Sequence, residues 1–139
     1  MAHPTPAPFL RRTLLVDALA SGGIGVVLVV AAGVAAALLG LPDALLRSLG
    51  VQLMSFAAAV LWLAREARPA EVAIWAVIAA NGGWGVASIG LLVSGWVAPT
   101  VLGLVLVIAQ AITVGLFAEL QYLGLRRVHT GLHGQQANG

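Results

Sequence analysis

Four long runs of apolar residues, at 14–39, 49–64, 72–93 and 101–125, are separated by short links that hold three of the six prolines and six of the twelve charged residues. The runs are continuous and do not alternate, which argues for helices and against the period-two strands of a membrane barrel. A helix crosses the hydrocarbon core with about 20 apolar residues. The first, third and fourth runs meet that length; the second does so once Leu45 and Leu46 join it across Arg47. Gly40-Leu41-Pro42-Asp43 breaks the chain after the first run, because proline ends helices and aspartate favours turns. Arg65-Glu66-Ala67-Arg68-Pro69 and the segment 94–100 make the other two links, and links this short force antiparallel neighbours. The pattern therefore predicts an all-α, polytopic membrane protein with a four-transmembrane-helix bundle over 14–127. Segments 1–13 and 128–139, rich in Pro, Gly, His and Gln, are expected to be disordered cytoplasmic tails.

Composition sharpens this picture mainly by exclusion. Of 139 residues, 60% are hydrophobic and 9% charged, and the mean hydropathy is +1.01, whereas a soluble domain carries about 25% charged residues. Lipid must cover much of such a surface, so soluble-enzyme readings fall away. The seven basic residues are all arginine, and there is no cysteine. Thiolate catalysis, disulfide exchange and thiolate metal sites need cysteine, and a Schiff base needs the lysine amine. His3, His129 and His133 lie outside the apolar runs, which leaves no axial ligand for a haem buried between helices. The five acids are scattered, with none of the clustering that metal-assisted chemistry uses. No metal or cofactor is expected, and an enzyme is not. The basic excess sits beside the apolar runs, so it calls for a bilayer and not for nucleic acid.

Those arginines also orient the chain. Arg11, Arg12, Arg65, Arg68, Arg126 and Arg127 would share one face, with Arg47 alone on the other. The positive-inside rule then puts both termini in the cytoplasm of a cell with an inner membrane. Trp62, Trp75 and Tyr122 fall near that face and Trp96 near the opposite one, as an aromatic belt would. Leu10-Arg11-Arg12-Thr13-Leu14-Leu15 is loosely like a twin-arginine export signal, but the apolar run that follows is too long for one and is interrupted by Asp17.

Ser21-Gly22-Gly23-Ile24-Gly25-Val26 in the first run is echoed by Asn81-Gly82-Gly83-Trp84-Gly85-Val86 in the third. Two helical hairpins in tandem would produce that echo; chance would too, in a chain this rich in Gly, Ala and Val. Either way, small residues four apart let membrane helices approach closely, and Gly22, Gly83 and Gly115 are the expected packing positions.

Polar groups inside the runs carry the candidate chemistry, because each is costly in lipid. Asp17 lies just inside the first run and Glu119 near the end of the fourth, at matching depths. As a pair they would bind a proton or cation; as structural groups they would pair with the arginines of the same face. Asn81, Ser88, Gln110 and Thr113 form a candidate intramembrane network, with an Asn81–Gln110 hydrogen bond as its simplest link. Gln110, Thr113, Phe117 and Gln121 make a seam along one side of the fourth helix, and Gln52 and Ser55 could extend the network.

The segments 91–100 and 117–127 resemble those of small bacterial four-span integral membrane proteins to which no activity is attached, a likeness that covers nearly the whole chain outside its tails. It implies a bacterial inner membrane. The small multidrug-resistance transporters are similar in length, span number and an acid in the first helix, here Asp17, but their surrounding motif is missing. The leading expectation is a non-enzymatic accessory or assembly subunit, embedded in the bilayer as a homo-oligomer or part of a larger complex. The alternative is a small proton- or cation-coupled transporter using Asp17 and Glu119.

Overall fold

The computed structural model describes residues 6–136. It is all-helical over that range, with five helices: α1 (Pro6–Val30), α2 (Ala32–Leu39), α3 (Asp43–Arg65), α4 (Glu71–Ser94) and α5 (Val101–Gln136). Four segments, Pro8–Val30, Asp43–Arg65, Glu71–Ser94 and Val101–Thr130, are long and apolar enough to cross a membrane. The second is a full 23 residues because α3 starts at Asp43 and carries Leu45 and Leu46 across Arg47. An ion pair from Arg47 to Asp43, one turn back at 3.0 Å, neutralises the charge that made this end ambiguous.

The first apolar run, expected as one helix, is two. Ala31 departs from helical dihedrals at φ −109° and ψ 24°, although its N–H still donates to the Val27 carbonyl at 2.9 Å. α2 then ends at Gly40, which takes the left-handed conformation (φ 65°) that glycine adopts without a Cβ penalty. Gly40 donates its N–H to Ala36 and is locked against the α4–α5 link: the Thr100 N–H donates to the Leu39 carbonyl at 2.9 Å, and the Thr100 hydroxyl to Leu38 at 2.7 Å. The same hydroxyl accepts from the Gly103 N–H at 3.1 Å and so caps α5.

Two expected tails are partly helical. α1 begins at Pro6, so most of segment 1–13 is helical; residues 1–5 lie outside the described range. The extension has work to do, since Leu10 is buried against Leu125 and packs on Gly124. At the other end α5 runs on to Gln136, through most of segment 128–139, and residues 137–139 lie outside the described range. The Arg127 guanidinium sits 4.8 Å from the Phe9 ring centroid and ties the two ends together, while Arg126 lies 5.8 Å from the Tyr122 ring one turn back on its own helix.

Packing does not follow chain order. α1 lies mainly against α3, α4 mainly against α5, and α1 against α5, while α3 and α4 barely touch despite being joined by residues 66–70. The order across the bundle is thus α3–α1–α5–α4, open along the α3/α4 side. Small residues face one another there, Ala59 on α3 and Ala73, Ala76 and Ala80 on α4, and they leave an apolar groove of about 280 Å³. Two cores hold the rest. At the Arg126 end Leu14, Val60, Leu63, Ile74 and Leu125 meet; at the other, Ala32, Leu41 and Leu46 do.

Candidate functional site

Helix faces decide which polar groups can meet. On α1, Asp17 and Ser21 are one turn apart and both point inward, at 0% and 7% exposure. On α4, Asn81 is one of three buried positions, two turns below Ile74 on the same inward face. On α5, Gln121 is fully buried, one turn before Leu125 and two after Val114. Three helices therefore deliver four polar side chains to one point, just beneath the apolar core at the Arg126 end.

Their geometry is tight. Gln121 Nε2 donates to Asp17 Oδ2 at 2.6 Å and Asn81 Nδ2 donates to the same oxygen at 2.7 Å. Asn81 Nδ2 also reaches Gln121 Oε1 at 3.2 Å, and the Ser21 hydroxyl donates to Asp17 Oδ1 at 3.2 Å. The Asp17 carboxylate thus accepts three hydrogen bonds, all from neutral groups. No arginine takes part: neither salt bridge found among the described residues involves Asp17. Every buried side-chain nitrogen and oxygen among the described residues has a partner. A carboxylate that would be costly alone in lipid is accommodated because amides from two other helices converge on it.

The depths explain the assembly. Asp17 is five residues past Arg12 on α1 and Gln121 five before Arg126 on the antiparallel α5, so both lie about 7.5 Å below the arginine level at 1.5 Å per residue. Asn81 is ten residues into α4 and reaches the same depth because that helix starts further out: Glu71, in its first turn, lies 3.3 Å from His129, eight residues beyond Gln121.

The other expected site residues lie elsewhere. Glu119 is exposed, two residues and therefore about 200° around α5 from Gln121, and no hydrogen bond or ion pair joins it to Asp17. Asn81 pairs with Gln121 and not with Gln110, which is half-buried three turns away on the same helix. Thr113 and Ser88 each turn back to their own backbone, donating to Ala109 and Trp84 at 2.8 Å. Gly22 packs on α3, where an added Cβ would stand 3.3 Å from that of Ala57; Gly83 and Gly115 face outward with nothing within 4 Å. Gly25 and Gly50 bring α1 and α3 close together, since a Cβ on either would be 2.8 Å from the other's carbonyl oxygen; Gly103 on α5 is closer still to the Leu39 carbonyl of α2. Gln121, the far end of the α5 seam, is the partner that sequence reasoning underrated; its matching distance from the arginines was the available signal.

No family model matches the chain, and neither a curated protein nor a solved structure is significantly similar to it. Function must be argued from the site itself.

Proposed function

We propose that this chain is a non-enzymatic, multi-pass protein of a bacterial inner membrane, with both termini cytoplasmic, that serves as an accessory or assembly subunit. One observation carries the reading. The buried polar groups spend their hydrogen-bonding capacity on one another, which fastens α1, α4 and α5, while Gly83 on α4 and Gly115 on α5 are left facing outward. A centre closed on itself suits a scaffold, and small residues facing outward suit a neighbouring helix. Gly83 and Gly115 touch nothing within the chain, so Gly83→Leu and Gly115→Leu should leave its melting temperature alone and still reduce the native mass of the gently extracted protein. Unchanged native mass in the double variant would sink the reading.

A second reading, a proton- or cation-coupled carrier, is favoured by the buried Asp17 carboxylate without a cationic partner among the described residues. Ionisable groups inside spans are rare, and ion and proton pathways are among the roles they mark. On this reading Asp17→Asn abolishes pH-driven uptake of a cation into reconstituted vesicles, whereas Glu119→Gln, on the outer face, has no effect. Uptake that survives Asp17→Asn would eliminate the carrier.

A further inference from the structure

An amide in hydrocarbon needs a partner, and Gln52 has none among the described residues. It is nine residues past the start of α3 and thirteen before its end, close to the middle of a 23-residue span, and therefore about 13 Å from the nearer end at 1.5 Å per residue. Its side chain is exposed and takes part in none of the side-chain hydrogen bonds found among the described residues. At that depth a glutamine cannot reach water, and an unsatisfied polar group there costs several kcal/mol, about 4 to 8 against a solvent that cannot hydrogen-bond.

Gln52 lines a cavity of about 220 Å³ between α3 and α4, together with Leu53, Asn81, Trp84 and Val114. The Trp84 indole N–H is a second donor with no partner among the described residues. Asn81 and Ser21 already donate to Asp17, so what the cavity has to offer a visitor is the Gln52 amide, which both donates and accepts, and the Trp84 N–H, with no charge. Phe56 and Ala80 line both this cavity and the apolar groove of about 280 Å³ that runs from it towards the Arg65 end. The two spaces form one site, polar at mid-membrane and apolar along its length.

We propose that this site binds an uncharged, membrane-dissolved amphiphile of the isoprenoid-quinone class. Its carbonyl-bearing ring would accept hydrogen bonds from Gln52 and Trp84, and the first part of its chain would lie along the groove. Size and depth exclude the competing occupants. A helix is about 10 Å across with its side chains, far more than a gap of this volume admits between helices tied by residues 66–70. A phospholipid would have to carry its charged head to the midplane, where charge is most expensive. A ring with acceptor oxygens satisfies both donors and needs no counter-charge.

The test uses the full chain in nanodiscs of zwitterionic lipid. Replacing Trp62, Trp75 and Trp96 with Phe leaves Trp84 as the sole indole emitter. Decylubiquinone should then quench Trp84 saturably, and decylbenzene, with the same chain and no carbonyl, should neither quench nor compete. Gln52→Leu should weaken the apparent affinity at least tenfold. Ala76→Leu, which fills the groove from an exposed position, should weaken it as well and guards against a failure of the first variant to fold. Quenching that rises linearly without saturation, or is the same in Gln52→Leu, or is displaced equally by decylbenzene, would overturn the proposal.

Discussion

The first hairpin, α1 with α3, and the second, α4 with α5, use the same local sequence to make two different crossings. In each, the third glycine of the echoed segment meets the partner helix: Gly25 against Gly50, and Gly85 against Ala111. At the first crossing a glycine stands on both sides, and a Cβ built on Gly25 would lie 2.8 Å from the Gly50 oxygen and 2.9 Å from Met54 Cγ. At the second, alanine replaces one glycine, and a Cβ on Gly85 would lie 3.3 Å from the Ala111 oxygen. The first residue of the segment shows the same parallel, since Ser21 and Asn81 both donate to Asp17. Yet the hairpins are not interchangeable across the bundle. A two-fold axis along the membrane normal would make the α1–α5 contact equivalent to the α3–α4 contact, and the first is well packed while the second is nearly absent. Close backbone approach is what distinguishes the α1–α3 crossing from the α4–α5 crossing.

The largest effect should come from breaking the tight crossing. Gly25→Ala places a methyl against backbone that cannot move without separating α1 from α3. Overpacking of this kind costs about 1 to 3 kcal/mol, and the upper end is expected because the obstacle is a carbonyl and not a flexible side chain. Reversible unfolding in mixed detergent, followed by circular dichroism, would measure it. A loss below about 0.5 kcal/mol would mean that the helices are not held as closely as 2.8 Å implies.

Next comes the joint between the hairpins. Asp17→Leu removes the common acceptor and leaves the Asn81 and Gln121 amides facing a side chain that cannot accept, at about 1 to 3 kcal/mol for stranded buried donors. Asp17→Asn keeps an acceptor oxygen and should cost less, about 1 kcal/mol by the same reasoning. The same unfolding titration would rank them. Equal losses would show that shape and not hydrogen bonding joins α1 to α4 and α5.

How much of this was visible beforehand follows from what each feature depends on. The spans depend on the apolar content of one segment at a time, so their number, their direction and the gathering of six arginines at one end could be read from the chain. Asp17 and Asn81 stood out for the same local reason: they are polar residues in apolar runs. Their partner did not, because which helix lies next to which is a property of the whole bundle. With α1 beside α5, Gln121 and not Glu119 turns inward, a difference of two residues and about 200° of helix that hydropathy alone does not resolve. Likewise Gly83 and Gly115 fit the small-residue spacing as well as Gly22 does, but spacing says that a close contact is possible without saying with what. The helical ends at Pro6–Leu10 and beyond Arg127 were hidden for a further reason, since neither carries the long apolar run by which the spans could be read.

The smallest effect is the most discriminating, because it repeats the first substitution at the equivalent position of the other hairpin. Gly85→Ala adds a methyl 3.3 Å from both the Ala111 oxygen and Val114 Cγ2, so the neighbours need give only a few tenths of an ångström. Against that small strain stands the gain in helix propensity when alanine replaces glycine, about 1 kcal/mol in a helix interior. The two should nearly cancel, and the unfolding midpoint should stay within about 0.5 kcal/mol of the parent on the same titration. If Gly85→Ala is as damaging as Gly25→Ala, the two crossings are alike in closeness and the contrast between a tight and a permissive crossing fails. If it is neutral while Gly25→Ala is not, the difference lies in the backbone separation that Gly50 permits and Ala111 does not, since the two segments are otherwise so nearly the same.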